Sequence, residues 1–209
     1  MRLILASTSP RRREILALLG APFEVIAPQF VERVSVHASI EDEVLQFAAG
    51  KAQSVASRNP GSMVVGSDTM ILRDGDKIGK PVDEADARRI LGWLSGKTHK
   101  IYTSVAIVDG TGGPGLRTVE TVLVTMREFT PGDIDRYLAE GESLDKAGAY
   151  SIQGKGRDLI AAMEGDYLAA VGMPLKPVAE YLKVRGVQFV GNAEKLYVDK
   201  AVLNWRTFA

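Results

Sequence analysis

An α/β or α+β architecture is the fold class this sequence predicts, and three observations carry the prediction. Helix-like periodicity alternates with short strand-like runs along the chain, which favours a mixed fold over an all-β one. The 209 residues are 45% hydrophobic, enough to bury a substantial core in one large domain or two lobes. Acidic and basic residues balance at 26 each, as suits a soluble globular protein.

The apolar run Leu3, Ile4, Leu5 predicts a first strand, followed by Ser7-Thr8-Ser9-Pro10 as the entrance to a helix. Ser9 reads as its N-cap and Pro10 as its first residue, with Ile15, Leu16, Leu18 and Leu19 as the buried face and Gly20 as the stop. Phe23 to Ile26 reads as a second strand. A capping-box-like start at Ser39 opens a helix to about Ser57, and Met63 to Leu72 reads as a strand ending in the hairpin turn Arg73 to Asp76. Asp83 to Leu94 reads as a helix. Ile101 to Val108 and Arg117 to Arg127 read as an antiparallel pair joined by the glycine-rich turn Asp109 to Gly115. A helix starts at Thr130-Pro131 and stops at Gly141, and Asp145 to Gly156 reads as a loop with short extended pieces. Leu159 to Met163 reads as a strand, Pro174 to Val184 as a helix, and Phe189-Val190 closes the main pattern.

Composition narrows the chemistry. Zero net charge argues against stable nucleic-acid binding, which needs a basic excess, so any anion site is local. The absence of cysteine excludes disulfides, thiolate metal sites and a thiol nucleophile, and two histidines, His37 and His99, make a two-histidine metal motif improbable. No run approaches a membrane span and the N-terminal apolar stretch is too short for a signal peptide, so no membrane partner and a cytoplasmic location are expected.

Four features break local rules. Arg11, Arg12 and Arg13 occupy a first helical turn, where cations oppose the macrodipole at roughly 0.3 to 1 kcal/mol each while the free N–H groups attract anions. A phosphate chain would relieve that repulsion; a solvated basic patch is the alternative. At about 100° per residue the three side chains fan over about 200°, so at most two serve one ligand. Lys51 falls close to the centre of the apolar stripe of Val44, Ala48 and Val55, where it either snorkels to water or meets an anion. Asp68 interrupts the apolar run Met63 to Leu72, at a cost unless paired, hydrogen-bonded or metal-bound; a bulge permitted by Gly66 is the bland alternative. Lys80 sits in the short loop Gly79-Lys80-Pro81. Two lures are rejected. Gly92 to Thr98 is one residue short of a phosphate loop and ends a helix where that motif begins one, so Gly96 reads as a helix stop, and Gly110 to Gly115 reads as a turn. His99 reads as a loop or strand-entry residue.

These segments closely resemble the Maf family of nucleoside triphosphate pyrophosphatases. The resemblance rests on Leu3-Ile-Leu-Ala-Ser-Thr-Ser-Pro-Arg-Arg-Arg13, Gly66-Ser-Asp-Thr69, Gly79-Lys-Pro81, Leu94-Ser-Gly-Lys-Thr-His99, Leu144-Asp-Lys-Ala-Gly-Ala-Tyr-Ser-Ile-Gln-Gly154, and Glu164-Gly-Asp-Tyr167 with Val171-Gly-Met-Pro174, in family order. It implies an α/β fold related to that of inosine triphosphate pyrophosphatases, a mixed sheet with flanking helices and two lobes around a nucleotide cleft. It spans about residues 1–190 and leaves 191–209 as a tail that packs as a short helix, extends a dimer contact or stays disordered.

The implied reaction is hydrolysis of a nucleoside triphosphate to the monophosphate and pyrophosphate. By position, Asp68 matches the family's proton acceptor, and Arg11, Thr69 and Gln153 match positions linked to substrate choice. Ser7, Ser9, Arg12, Lys51 and Lys80 match polar and cationic positions of the cleft, and Glu32 a carboxylate after the second strand. The Ile-Gln-Gly segment at 152–154 is similar to the branch acting on dTTP and UTP. Also implied are a role in keeping modified nucleotides out of nucleic acid, a link to division arrest, and a homodimer as a partner state. A pyrophosphatase for non-standard purine nucleotides and a nucleotide-sensing division regulator without turnover are the alternatives. Departures are Gly50, which weakens its helix, and Ala169, where relatives often carry a polar residue.

That reaction suits the four anomalies. Water attacking the α-phosphorus concentrates negative charge on the α,β-bridging oxygen, and Arg11 or Arg12, Lys51 and Lys80 supply cations for it. A divalent cation, Mg²⁺ or Mn²⁺, would be held by oxygen ligands, with Asp68 and Glu32 the candidates. Asp68 would alternatively ready the water, and the Gln153 amide suits the amide edge shared by uracil and thymine.

Overall fold

The computed structural model describes residues 2–35, 37–113, 115–201, 203 and 205. Strand β1 (Leu3–Ala6) is buried at every position because it lies inside the sheet, parallel to β2 (Glu24–Ile26) on one side and to β3 (Met63–Arg73) on the other. Between β1 and β2 runs α1 (Pro10–Ala17), capped by the Ser9 hydroxyl, which accepts from the Arg12 N–H. Helix α2 (Ile40–Ala56) is capped by Ser39 and has Glu41, Asp42 and Glu43 in its first turn, the favourable end for acids.

Strand β3 folds back onto β4 (Asp76–Ile78) through Asp74 and Gly75, whose φ values of 50° and 90° are what a two-residue hairpin turn needs. Helix α3 (Glu84–Leu94) precedes the long antiparallel pair β5 (Thr98–Asp109) and β6 (Leu116–Met126). Then come α4 (Pro131–Leu138) with a Thr130–Asp133 capping box, 3₁₀ turns at Ala147–Ala149 and Gly154–Leu159, and β7 (Ile160–Glu164). Three helices finish the described chain: α5 (Tyr167–Val171), α6 (Leu175–Val184) and α7 (Ala193–Asp199).

The result is one mixed sheet of order β2-β1-β3-β5-β6-β7, with β4 paired to β3. One face carries the main core, from Leu5, Leu16 and Val65 to Leu168 and Leu182; the other packs against α2 through Ile4, Ala52, Val55 and Val64. The expected elements form within a few residues of their expected bounds, except that the 145–156 loop holds 3₁₀ turns where short extended pieces were expected. Helix α5 was not anticipated, α7 is the short helix that was one of the three readings of the tail, and Phe189-Val190 is irregular. Pro114, in the expected glycine-rich turn, and residues 202, 204 and 206–209 of the tail lie outside the described residues.

Two glycines differ from their sequence readings. Gly66 makes no bulge: β3 pairs with β5 without interruption from Met63 to Leu72, with Gly66 opposite Ala106. A Cβ on Gly66 would lie 2.3 Å from the Ala48 carbonyl oxygen and 2.9 Å from the Ala52 nitrogen, so glycine is there to let α2 lie against the strand. Gly50 does carry a helix-propensity cost, but the Phe30 ring fills its side-chain space, 2.2 Å from where a Cβ would be. Ala169 is fully buried in the main core, an apolar position rather than one missing a hydrogen bond.

The sheet also contains a gap. Strand β1 pairs with β3 as far as Val65, and β4 pairs with it from Ile71. Over Gly66–Met70, β3 is therefore paired with β5 on one side and bordered by neither β1 nor β4 on the other. This opening faces the carboxyl end of β1 and the start of α1, the position where α/β sheets bind ligands.

Candidate active site

A cavity of about 760 Å³ lies over that gap. Its lining includes all ten residues singled out from the sequence: Ser7, Ser9, Arg11, Arg12, Glu32, Lys51, Asp68, Thr69, Lys80 and Gln153. They come from α1 and its cap, the β2–α2 loop, α2, the open part of β3, the loop after β4, and the 145–153 segment.

The centre is an ion triad. The Lys51 ammonium pairs with Asp68 Oδ1 and lies 2.5 Å from Glu32 Oε1. Lys51 belongs to the buried stripe of α2, one turn beyond Phe47 and Ala48, and the close approach at Gly66 lets it reach the strand. Of the two readings of Lys51, snorkelling to water or meeting an anion, the structure shows the second: its side chain is 10% exposed and Asp68's is 8%. Burial raises the Asp68 carboxyl above its ordinary pKa, against the lowering effects of the Lys51 and Arg12 charges and the Lys51 hydrogen bond.

Glu32 is half exposed, on a loop pinned by several contacts. The Gln29 N–H donates to Ser54 Oγ at 3.2 Å, and the Phe30 ring meets Phe47 edge-on and covers Gly50. Further along, Lys77 Nζ donates to the carbonyls of Ser35 and Ala38 and to buried Glu43.

The arginine triplet divides as the helical fan requires. Arg11 and Arg12 line the cavity, whereas Arg13 is exposed and outside it. Arg12 Nε donates to the Gly172 carbonyl at 3.0 Å and a terminal nitrogen donates to Thr69 Oγ1 at 3.3 Å. Burial lowers its pKa, with Asp68 and Glu32 raising it and Arg11 lowering it further. Thr69 also accepts from the Thr103 hydroxyl at 3.1 Å. Ser7 Oγ accepts from the Ser9 N–H and Ser9 Oγ from the Arg12 N–H, which leaves each hydroxyl hydrogen for an anion at the start of α1. Arg11 and Lys80 have no ion-pair partner among the described residues.

On the far wall, the Gln153 amide has no hydrogen-bond partner among the described residues, so its donor and acceptor are both free. The segment carrying it is anchored by two backbone N–H groups. The Ser151 N–H donates to Tyr137 Oη at 2.9 Å, and the Gly148 N–H donates to the Gly79 carbonyl at 3.1 Å, tying it to the Lys80 loop.

Sequence reasoning missed the wall residues Asp145 and Lys146, paired at 2.5 Å, and Tyr150. Burial would raise the Asp145 carboxyl, but Lys146 and the Arg11 charge outweigh it and hold its pKa low. Loop residues carry no periodicity that reveals burial. The only signal was a lysine and an aspartate adjacent in a segment already notable for its glycines.

His99 is the strand-entry residue expected, second in β5, and does not line the cavity. Its Nε2 lies 2.7 Å from Tyr150 Oη, and Nδ1 is buried without a partner among the described residues. Burial, reinforced by the Arg73 charge, lowers its pKa from 6.5 to about 4. The folded protein therefore takes up its proton later than the unfolded chain, so stability falls as pH drops from 6.5 towards 4. The expected loss is up to about 3 kcal/mol. Urea unfolding at pH 7 and pH 4 should show a smaller drop for His99→Gln; an equal drop would remove His99 as its source. The rejected phosphate loop is indeed a helix stop, with Gly96 at φ 65° just past α3.

For a divalent cation, the donor set fits. Glu32 and Asp68 converge on a single cationic group, the Lys51 ammonium, and both offer hard oxygens. No cluster of three or more acidic or histidine side chains occurs among the described residues, so the remaining ligands would be water and substrate oxygens, as is usual for Mg²⁺. No helix among the described residues is long and apolar enough to cross a membrane.

The chain is similar to known proteins over most of its length. A dTTP/UTP pyrophosphatase of Moorella thermoacetica is 46% identical over 190 residues, covering 91% of this chain and 98% of the relative. Proteins of the same description from Bacillus cereus and Bacillus thuringiensis are each 43% identical over 184 residues, covering 87% of this chain and 94% of theirs. The family model described as Maf-like protein matches residues 2–185, and the chain belongs to that family.

Proposed function

We propose that this protein hydrolyses dTTP and UTP to the nucleoside monophosphate and pyrophosphate. The observation that carries the reading is Asp68: a buried carboxylate in the gap of the sheet, beside Lys51 and facing a cleft with two arginines and Lys80. The relatives described as dTTP/UTP pyrophosphatases support the substrate.

Arg11, Arg12 and Lys80 grip the triphosphate, with the Ser7 and Ser9 hydroxyls and the first N–H groups of α1 completing the anion site. Asp68 orients and deprotonates the water that attacks the α-phosphorus, and its raised pKa suits a proton acceptor. Glu32 and Asp68 would hold Mg²⁺ or Mn²⁺. Such an ion, when bound, supplies positive charge to the phosphate oxygens. Lys51 then serves the charge that develops on the bridging oxygen. The reading also carries a cytoplasmic location and a homodimer.

Gln153 selects the base by offering a donor and an acceptor to the amide edge of uracil or thymine. Gln153→Ala is expected to change the ratio of kcat/KM between dTTP or UTP and the other triphosphates by about 10-fold or more, while the best kcat changes less. An unchanged substrate profile would contradict that role.

The function itself is tested by a panel of natural, non-standard and methylated triphosphates, with pyrophosphate and orthophosphate measured separately, in Mg²⁺ or Mn²⁺ and after chelation. Pyrophosphate release fastest from dTTP and UTP is expected. A preference for non-standard purines, orthophosphate release, or binding without turnover would each replace the proposal.

A further inference from the structure

The family model stops at residue 185, yet the chain beyond it is packed against the two elements that meet at Arg12. At its near end, the Gly191 N–H donates to the Leu19 carbonyl at 2.7 Å, just past α1. The approach is close: a Cβ on Gly191 would sit 2.4 Å from the Leu18 carbonyl oxygen. Further on, Tyr197 Oη donates to Asp166 Oδ2 at 2.7 Å and accepts from the Lys176 N–H at 3.3 Å. Trp205 stacks on Tyr167, ring centres 5.4 Å apart and planes 16° from parallel, and meets Tyr197 edge-on at 4.8 Å. Tyr167 Oη donates to the Leu203 carbonyl.

Asp166 and Tyr167 begin α5. Asp166 Oδ1 caps it by accepting from the Leu168 and Ala169 N–H groups, while its other oxygen takes the Tyr197 hydroxyl. Five residues cannot hold a helix by themselves, so α5 takes its position from what surrounds it. At its other end stands Gly172, whose carbonyl accepts from both Arg12 Nε and Ser67 Oγ, at 3.0 and 2.9 Å. The guanidinium is thereby aimed by α5, while its backbone is carried by α1.

We propose that Gly191, Tyr197 and Trp205 form a clamp that positions Arg12 for the triphosphate, by fastening the end of α1 and the start of α5 to one another. Tyr197 and Trp205 are its positioning residues. The proposal rests on the reading of Arg12 as a triphosphate ligand given above. Loosening the clamp lets the Gly172 carbonyl drift and degrades the grip on phosphate, whereas Asp68 keeps its ion pair with Lys51 on the β3–α2 side. The signature is a rise in KM with kcat retained.

The test uses the full chain carrying Trp205→Ala, Trp205→Phe, Tyr197→Phe or Arg12→Gln. Each is assayed well below its melting temperature for dTTP turnover and for binding of a non-hydrolysable α,β-imido analogue. Trp205→Ala is expected to raise KM and weaken analogue binding by about 5-fold or more with kcat within about 2-fold, and Trp205→Phe to restore both. Ile134→Ala, a cavity in α4 where it packs on α3, serves as the stability control and should lower the melting temperature without moving KM. Should Trp205→Ala fail to fold, Tyr197→Phe carries the same expectation with a smaller rise. Clamp variants that melt earlier yet keep wild-type KM and analogue affinity, while Arg12→Gln loses both, overturn the clamp alone. Wild-type affinity in Arg12→Gln overturns the reading of Arg12 on which it stands.

Discussion

Asp68→Asn is expected to keep the fold and most nucleotide affinity while losing at least about 100-fold in turnover, the range for removal of a general base. The fold survives because asparagine matches aspartate in size and the Lys51 ammonium retains Glu32 at 2.5 Å, so no buried cation is stranded. Affinity survives because Arg11, Arg12 and Lys80 are unaltered. Turnover fails because an amide cannot take a proton from water. Steady-state pyrophosphate release, melting temperature and binding of an α,β-imido analogue measure the three quantities. Turnover near wild type would remove Asp68 from the chemistry. The metal dependence separates its two possible duties: loss of a base lowers kcat at every metal concentration, whereas loss of a ligand is recovered by raising it.

How far this site was readable in the sequence depends on the range of the interaction concerned. Lys51 and Asp68 were visible because each violates a local period, a cation in an apolar helical stripe and a carboxylate in an apolar strand. Their partnership was not, since it depends on α2 and β3 touching at Gly66, and a glycine in a strand looks the same whether it makes a bulge or admits a helix. Gly50 shows the same ambiguity: its helix cost could be read locally, but the Phe30 ring that requires it comes from 20 residues away. The gap in the sheet over Gly66–Met70 depends on where β1 and β4 stop pairing, which no pattern within β3 records. Helix α5 was hidden because five residues are too few to show a period, and the tail because its burial rests on scattered aromatics, Tyr197 and Trp205, rather than on a continuous stripe.

Lys51→Met should reveal whether the ion triad is part of the chemistry or only of the fold. Methionine fills a similar volume, so packing of α2 on β3 at Gly66 is retained, but the two carboxylates on either side lose their shared cation. Burial already raises the Asp68 pKa, and Lys51 is the largest influence lowering it, so the substitution raises it further. A proton acceptor works only when ionised. The acidic limb of the kcat/KM profile is therefore expected to move to higher pH, and the rate at pH 7 to fall by about 100-fold from the combined loss of ionised base and of positive charge at the bridging oxygen. The direction of the shift is the discriminating part. A limb left in place or moved to lower pH would mean that some group other than Asp68 titrates in the reaction, and a limb that moves up with the maximal kcat retained would confine Lys51 to holding the Asp68 carboxylate ionised.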